Sequence, residues 1–288
     1  EQTFANYMVA LVFLGLGWNF LFISGTSLLI ISYKEEEKFK AGLDLLVPVN
    51  LSEMQEAIDE ILVLDESYPN VPFLFNLIGA CYKQLGQLEL SAKMFEKAVG
   101  IKPDYAEAHK NLGITLKNLG QLEAAVISLK DAIEVNPNYV DAHYNLAITF
   151  KDLEQLDDAV QSYNRAIEIN PNFAQAHNNL GNVFKDLEQP KDAIKSFEKA
   201  IEINPNFAEA HNNLGNAFKE LEEFDDAIKS YENAIELNPN FSEVHNNLGS
   251  VLKDLGELDN AIKSYEKAIG LNPNFLRSGL LITLEGTP

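Results

Sequence analysis

Five histidines are the residues of this sequence whose type and regular spacing first suggest chemistry. Imidazole binds transition metals and transfers protons near neutral pH, so a row of histidines could be a metal site or a catalytic array. Their surroundings are similar, and the heptapeptide AHNNLGN occurs at both 176–182 and 210–216. Successive members are 34 residues apart, and the sequence has no others: His109, His143, His177, His211 and His245.

Helical geometry separates each histidine from the asparagines that follow it. An α-helix turns by about 100° per residue, which puts His211 on the same side as Leu214 and Phe218, facing a packed core. Neighbouring helices lie about 8–10 Å apart, whereas each ligand of a zinc ion lies about 2 Å from the metal. We therefore expect the histidines to pack in the core, and the sequence predicts no catalytic residue, metal site or cofactor.

The opposite side of the same helices carries a stripe of amides and lysines. A primary amide offers a donor and an acceptor, the pair that a peptide unit also offers, so a row of asparagines could hold an extended peptide by its backbone. The lysines would attract acidic side chains or a terminal carboxylate. The candidate peptide-binding residues are Asn111, Asn145, Asn179, Asn213 and Asn247, a second partial row of Asn178, Asn212 and Asn246, and the lysines Lys117, Lys151, Lys185, Lys219 and Lys253.

The same 34-residue period runs through the elements that must position these residues. Prolines recur at this interval from Pro69 to Pro273, and each period reads as two helices separated by a short turn. A small residue on the first helix, such as Gly215, faces small and large residues on the second, such as Ala227 and Tyr231, as close helix packing requires. A fixed period of this length is typical of an all-α solenoid.

The period, the alternation of small and large residues and the terminal proline resemble the tetratricopeptide repeat. The resemblance implies an all-α, right-handed superhelical solenoid of helix-turn-helix repeats, with the polar stripe lining a concave groove. It covers six repeats at residues 72–275, with a degenerate half repeat at 53–71 before them and an irregular or truncated tail at 276–288 after them. Such solenoids mostly bind other proteins, so a protein or peptide is the expected partner.

The word NNLGN and the asparagine row are similar to the repeats that precede the catalytic domain in O-linked N-acetylglucosamine transferases. In that family the row grips the backbone of substrate peptides, which implies the same role for Asn111, Asn145, Asn179, Asn213 and Asn247. The alternative is that asparagine is simply a common residue at this position of the repeat, where it bonds within or between helices.

An uncharged segment precedes the repeats. No charged residue occurs at 2–33, and the apolar run at 7–33 is long enough for a helix that spans a bilayer. Three lysines follow in a charged linker at 34–52, and the positive-inside rule then places the repeats in the cytoplasm. Residues 11–43 resemble one helix and the following loop of a major facilitator transporter. The sequence thus predicts a membrane-anchored solenoid, or a cytoplasmic one if this segment is not native to the protein.

Composition narrows the functions that remain. The formal net charge is −21, and nucleic acid is not an expected partner because phosphate binding needs a basic face. The single cysteine, Cys81, excludes an intrachain disulfide and fits a reducing compartment. No small-molecule substrate is evident.

We therefore expect a non-enzymatic scaffold that binds an extended peptide or a partner protein in the groove and is tethered to a membrane. Two alternatives stay open. The chain could be the substrate-recruiting region of a larger glycosyltransferase or other transferase whose catalytic domain is missing. It could also be a chimeric fragment that carries a piece of a major facilitator transporter. The start at Glu1 and the unpatterned tail favour a fragment.

Overall fold

Twelve α-helices lie within the described residues 72–271. The structure is a computed structural model, and it describes residues 18–23, 27–32, 58 and 71–273. The chain divides into two compact units, Glu1–Val135 and Asn136–Pro288.

Each period contributes an antiparallel helix pair, here called its first and second helix. In unit 1 the pairs are α1 (Pro72–Gln84) with α2 (Leu88–Ile101), and α3 (Ala106–Asn118) with α4 (Leu122–Val135). In unit 2 they are α5 (Val140–Asp152) with α6 (Leu156–Ile169), α7 (Ala174–Asp186) with α8 (Pro190–Ile203), α9 (Ala208–Glu220) with α10 (Phe224–Leu237), and α11 (Ser242–Asp254) with α12 (Leu258–Leu271).

In pairs such as α7–α8 and α9–α10 the close approach of the two helices depends on a glycine of the first helix, whereas α5 has Ala147 at the equivalent position. A Cβ added at Gly181 in α7 would stand 2.5 Å from the Phe197 ring of α8, and one at Gly215 in α9 would stand 2.6 Å from the Tyr231 ring of α10. Both rings are fully buried. The small–large pattern seen in the sequence therefore places an aromatic ring directly on the glycine backbone, which gives the pair its dense core.

The turn between the two helices of a pair contains one residue in the left-handed region. Glycine occupies it in three turns, with φ between 74° and 80°, whereas Glu154, Glu188 and Glu222 occupy it in the others at φ 58°. This conformation brings the Cβ of a non-glycine residue close to the following carbonyl oxygen. The three glutamates are therefore strained relative to glycine.

Replacing Glu222 with glycine is expected to raise the free energy of unfolding of unit 2 by about 1 kcal/mol, because the left-handed conformation costs an L-residue about that much. Urea denaturation measures the change. The matched control is Glu223→Gly, at a neighbouring residue with φ −84°, where glycine only adds freedom to the unfolded chain and should lower stability. Equal shifts of one sign in both variants would contradict the assignment of strain to Glu222.

The link between consecutive pairs in unit 2 is built around an Asn-Pro-Asn sequence. The side-chain oxygen of Asn204 accepts a hydrogen bond from the backbone N–H of Asn206 at 3.3 Å, and Asn170 and Asn238 make the equivalent bond. The sequence favours Asn206 as N-cap of α9, with Glu209 completing a capping box. That expectation is wrong, because the N-cap is Phe207, which makes no side-chain capping bond, while the asparagines stabilise the loop instead.

The amino-terminal apolar segment differs from its prediction. Trp18–Ile23 (β1) and Ser27–Ser32 (β2) pair as an antiparallel hairpin, with Trp18 opposite Ser32 and Ile23 opposite Ser27. The prediction of one helix through 7–33 is therefore wrong for these strands. Two six-residue, largely apolar runs, with Gly25 between them in the sequence, satisfy a strand pattern as well as a helix pattern, and periodicity does not separate the two. Among the described residues, no helix combines the length and apolar character needed to cross a bilayer.

Several predicted regions lie outside the described residues: the linker at 34–52, most of the half repeat at 53–71 and the tail at 276–288. Within the half repeat, Ile58 is helical and fully buried. It belongs to a core cluster with Leu74, Phe75 and Ile78 of α1, so a residue from the half repeat covers the first complete pair.

Candidate functional site

The candidate site residues lie on the first helices, which stand next to one another within each unit. We call the surface formed by the positions equivalent to 209, 212, 213, 216, 219 and 220 the first-helix face. In unit 2 it is carried by α5, α7, α9 and α11, and in unit 1 by α1 and α3. Hydrogen bonds join adjacent first helices directly, as the amide of Asn213 in α9 donating to Asn178 in α7 shows.

A recurring group of three polar side chains makes these contacts, and we call it the Asn clamp. Its central asparagine accepts a hydrogen bond from the asparagine 35 residues later and donates one to the glutamate 31 residues later. Asn178 accepts from Asn213 at 3.0 Å and donates to Glu209 at 3.4 Å. The other clamps are Asn212 with Asn247 and Glu243 at 3.0 and 3.4 Å, and Asn76 with Asn111 and Glu107 at 3.0 and 3.5 Å.

The clamps determine which of the predicted amides a ligand can reach. Asn178 and Asn212, from the second partial row, are 1% and 2% exposed, so these two positions of the first-helix face are buried. Asn246 is partly exposed, but its side-chain oxygen is buried and has no hydrogen-bond partner among the described residues. Helical geometry places this second row at the edge of the polar stripe, and the neighbouring repeat covers that edge. Asn178 and Asn212 therefore hold adjacent repeats together and leave little surface for a ligand.

In unit 2 the first row of asparagines, which we call the principal row, lies at the surface, and the amide nitrogen of each residue already forms a hydrogen bond within the protein. The amide nitrogens of Asn213 and Asn247 donate to the clamps, and that of Asn145 donates to the Asp141 carbonyl of its own helix at 2.7 Å. Within the described part of the chain, no hydrogen bond uses the side-chain oxygens of these three residues. The nitrogen contacts fix each amide, and the oxygen stays available as an acceptor.

Two other members of the row are less open. Asn179 donates to the hydroxyl of Tyr144 at 2.9 Å and accepts a bond from Asn178 at 3.4 Å. Asn111 in unit 1 is buried, with its nitrogen held by Asn76. By contrast Asn182, one turn after Asn178, is partly exposed and has no hydrogen-bond partner among the residues that the structure describes.

Tyr144 replaces the central asparagine of a clamp in α5 and forms a small aromatic cluster. Its ring meets Tyr163 edge-on, with centroids 5.8 Å apart, and lies 4.8 Å from the Phe173 ring. Burial raises the pKa of the Tyr144 hydroxyl, partly offset by the hydrogen bond from Asn179. The hydroxyl is therefore a neutral acceptor that takes over one function of the missing asparagine.

The lysines of the face divide by unit. In unit 2, Lys151 pairs with Asp186 at 3.1 Å and Lys185 with Glu220 at 3.5 Å, both across adjacent first helices. Lys219 donates to the Ser250 hydroxyl at 2.7 Å, and Lys253 is exposed. In unit 1, Lys117 is partly buried and forms no ion pair with any described residue. Most of the lysine row in unit 2 is therefore already engaged within the protein.

Two family models match this arrangement. The model described as tetratricopeptide repeat matches residues 174–207, 208–241 and 242–275, and the model described as TPR repeat matches 79–120, 116–154 and 149–188. Together they cover residues 79–275, more than half of the 288 residues. The chain belongs to the tetratricopeptide repeat family. The matches at 174–207, 208–241 and 242–275 each span one helix pair, and those at 79–120, 116–154 and 149–188 each contain a second helix and the first helix that follows it.

Solved structures agree with this fold for the TPR chain. PilF of Pseudomonas aeruginosa has a TM-score of 0.62 at 19% identity, covering 76% of this chain and 95% of that one. MamA has a TM-score of 0.54 at 25% identity, covering 58% and 97%. YrrB, which has been called a TPR protein with an unusual peptide-binding site, has a TM-score of 0.54 at 24% identity, covering 64% and 95%. No curated protein matches the chain.

The histidines of this TPR protein are core residues, as the sequence predicts. Each directs its Nε2 atom to the carbonyl of the proline six residues earlier, at 2.8–3.2 Å, and His211 with Pro205 is one example. Four of the five are buried, and His177 is partly exposed. Burial lowers the pKa of His177, which favours its neutral form. The described residues contain no group of His, Cys, Asp and Glu able to hold a metal ion.

The clamp is the feature of these TPR repeats that a search at the repeat period misses. Identical residues recur every 34 positions, but side chains that touch across adjacent first helices are 31 and 35 positions apart. When the sequence is compared with itself, asparagine is aligned with asparagine at an offset of 35 and with glutamate at an offset of 31. Both alignments occur together between three sets of adjacent first helices, α1 with α3, α7 with α9 and α9 with α11. That complementary pattern is the signal that could have revealed the clamps.

Proposed function

We propose that this TPR chain is a protein-interaction scaffold and that the first-helix face of unit 2 binds an extended peptide by its backbone. The supporting observation is the set of amide oxygens on Asn145, Asn213 and Asn247, which are positioned by their nitrogen contacts and have no acceptor role within the described residues. Each can accept a hydrogen bond from a peptide N–H. Asn182, on the same face, can both donate and accept.

The spacing of the first helices suits such a ligand. Packed helices lie about 8–10 Å apart, and an extended chain advances about 3.3 Å per residue. About three peptide residues therefore cover the distance between two adjacent first helices. Each asparagine then contacts one peptide unit, and the side chains of the ligand lie between successive asparagines. Because the asparagines bind backbone groups, the proposed binding has little dependence on ligand sequence. A peptide-binding site has been described for the related fold of YrrB.

The decisive variant removes two amides of the face that join no neighbouring helix. We expect Asn145→Ala with Asn182→Ala to lower peptide affinity about tenfold, the effect of losing hydrogen bonds worth about 0.5–1.5 kcal/mol each. The full chain is first screened against an array of random peptides, and affinity for a selected peptide is measured by calorimetry. Substituting Asn213 or Asn247 would confound the result, because each also loses a bond to a buried clamp residue.

A site that binds the peptide backbone and a site that binds peptide side chains respond differently to changes in the peptide. Methylating successive backbone nitrogens of the selected peptide should weaken binding at about every third position, whereas alanine substitution of its side chains should have small effects. The matched protein control is Gln161→Ala, which removes an exposed amide from the second helix α6, outside the first-helix face. Binding that survives backbone methylation, or that Gln161→Ala reduces as much as the double variant does, would contradict the backbone proposal.

The other functions raised by the sequence stay predictions. The matched models and structures cover the repeats, so they neither add nor remove a transferase domain for which these repeats would recruit substrate. The resemblance to a major facilitator transporter lies largely outside the described residues. Membrane attachment through 7–33, the resulting cytoplasmic placement of the repeats and the chimeric alternative likewise rest on sequence alone.

A further inference from the structure

The two units differ in the charge of their first-helix faces. In unit 1 the face carries three lysines, Lys83, Lys110 and Lys117, and one acid, Glu107. In unit 2 four lysines are accompanied by seven acids, namely Asp141, Asp152, Asp186, Glu209, Glu220, Glu243 and Asp254. In a chain with a formal net charge of −21, unit 1 therefore presents a local excess of positive charge on this face.

The excess is clearest at Lys83, which lacks the counter-ion that Lys151 and Lys185 have in unit 2. In unit 2 a lysine pairs with the acid 35 residues later on the next first helix, as Lys151 does with Asp186. The same offset from Lys83 leads to Asn118. Asn111 donates to Asn76, so Lys83 and Asn118, each seven residues further on, stand at one level of the two helices. The position opposite Lys83 is thus occupied by a neutral amide.

The charges of the three lysines act on one another. Burial lowers the pKa of Lys83, and the nearby charges of Lys110 and Lys117 lower it further. Neither Lys83 nor Lys117 has an ion-pair partner among the described residues of unit 1. The one acid of the face, Glu107, already accepts a hydrogen bond from Asn76 at 3.5 Å. A ligand that brings negative charge to this place would relieve repulsion as well as form new ion pairs.

We propose that the first-helix face of unit 1 binds the carboxylate side chains of an acidic peptide segment, with Lys83 and Lys117 as the counter-ions and Lys110 adding to the positive field. The inference rests on the proposed peptide-binding function and gives it a charge preference. Lysine acts as a compact point charge that accepts a carboxylate in many orientations. The exposed amides of Asn118 and Gln84 lie at the same end of the two helices and supply further donors.

The test uses the full chain and three twelve-residue peptides of one backbone design, amidated at the carboxyl end so that only side chains carry charge. They contain four glutamates, four glutamines or four phosphoserines at the same positions. We expect the glutamate peptide to bind about tenfold more tightly than the glutamine peptide, as two or three partly buried charge pairs allow. Lys83→Gln with Lys117→Gln should abolish that difference, and raising the salt concentration should reduce it.

The matched control is Lys151→Gln with Lys185→Gln, which removes the same number of charges from lysines that already have partners in unit 2. It should change the ratio of the two affinities by less than about twofold, since those lysines are already neutralised by protein acids. A ratio near one in the unaltered protein, or a ratio that the unit 1 variant leaves unchanged, would refute the proposal. A phosphoserine peptide that binds more than tenfold more tightly than the glutamate peptide would replace carboxylate by phosphate as the ligand.

The outcome separates this inference from the backbone proposal. Asn145→Ala with Asn182→Ala affects all three peptides alike, so a failed backbone proposal leaves the glutamate-to-glutamine ratio intact. A second measurement reports on Lys83 itself, because a bound carboxylate favours the charged ammonium. The pKa of Lys83, followed by NMR of the lysine side chains, should rise when the glutamate peptide is added and stay constant with the glutamine peptide. A constant value with both peptides would contradict direct binding at this lysine.

Discussion

Replacing Phe197 with alanine is expected to lower the free energy of unfolding of unit 2 by about 3–5 kcal/mol, the usual cost of removing a fully buried aromatic ring. The ring is 0% exposed and packs on the backbone of Gly181, where an added Cβ would stand 2.5 Å from it. The cavity left in the variant is bounded by two helix backbones, which cannot approach each other without disturbing the neighbouring repeats. Urea denaturation followed by circular dichroism measures the change.

The control for Phe197 lies next to it in the chain. Glu198 is exposed on the same helix, so Glu198→Ala should change stability by no more than about 0.5 kcal/mol. A repeat protein is stabilised by contacts between nearest neighbours, and the loss at Phe197 should therefore be felt by the adjacent pairs as well. If Phe197→Ala lowered the free energy of unfolding no more than Glu198→Ala, the packing of the Phe197 ring on Gly181 would not contribute to stability.

Replacing Asn178 with alanine is expected to lower the free energy of unfolding by about 1–3 kcal/mol, although it removes a polar side chain of modest size. The substitution leaves the amide of Asn213 and the carboxylate of Glu209 without the partner that they have now. Asn178 is 1% exposed, so alanine leaves a cavity between two helices, and each lost hydrogen bond is worth about 0.5–1.5 kcal/mol. Thermal or chemical denaturation detects a loss of this size.

The same helix provides the comparison. Asn182→Ala removes the same chemical group one turn further along, from a residue without a hydrogen-bond partner among those described, and should leave stability within about 0.5 kcal/mol. The two variants also act on binding by different routes. Asn182→Ala should weaken peptide binding by removing a ligand contact, whereas Asn178→Ala should weaken it indirectly, by releasing the amide of Asn213 and by lowering the fraction of folded protein. Equal stability of the two variants would contradict the structural role of the clamp.

The fold was largely predictable because it depends on a repeated pattern. The 34-residue period, the glycine opposite an aromatic residue and the placement of His211 in the core all follow from helix geometry and the need to bury apolar surface. The sequence could not reveal that the proline carbonyl six residues before each histidine accepts its Nε2 hydrogen bond. That contact requires the exact path of the loop between repeats, which single-residue patterns do not determine.

The candidate site was predicted only in part. A helical wheel correctly separates asparagine from histidine, but it treats each helix in isolation. Asn178 and Asn213 both fall on the polar stripe of the wheel, yet the adjacent repeat covers the first and leaves the second exposed. Whether an amide can serve a ligand depends on the neighbouring helix, and the same is true of Lys83 and Lys151, whose sequence positions are equivalent but whose counter-ions differ.

The strands of the amino-terminal segment could not be predicted from the sequence. A continuous apolar run contains no alternation of polar residues that could choose between helix and strand. The pairing of Trp18–Ile23 with Ser27–Ser32 therefore had no signal in composition or length. The glycine between the two runs was the one residue that could have indicated a turn.

The Asn clamp also makes those repeats of unit 2 that carry it interchangeable. Asn178 meets Asn213 and Glu209, and Asn212 meets the same residue types at Asn247 and Glu243. Excision of residues 208–241 would bring Asn178 opposite Asn247 and Glu243 with the pairing unchanged, and duplication of the same stretch would add one more identical junction. Unequal recombination within the gene can therefore lengthen or shorten this surface by whole repeats, each step conserving the clamp contacts at the new joint.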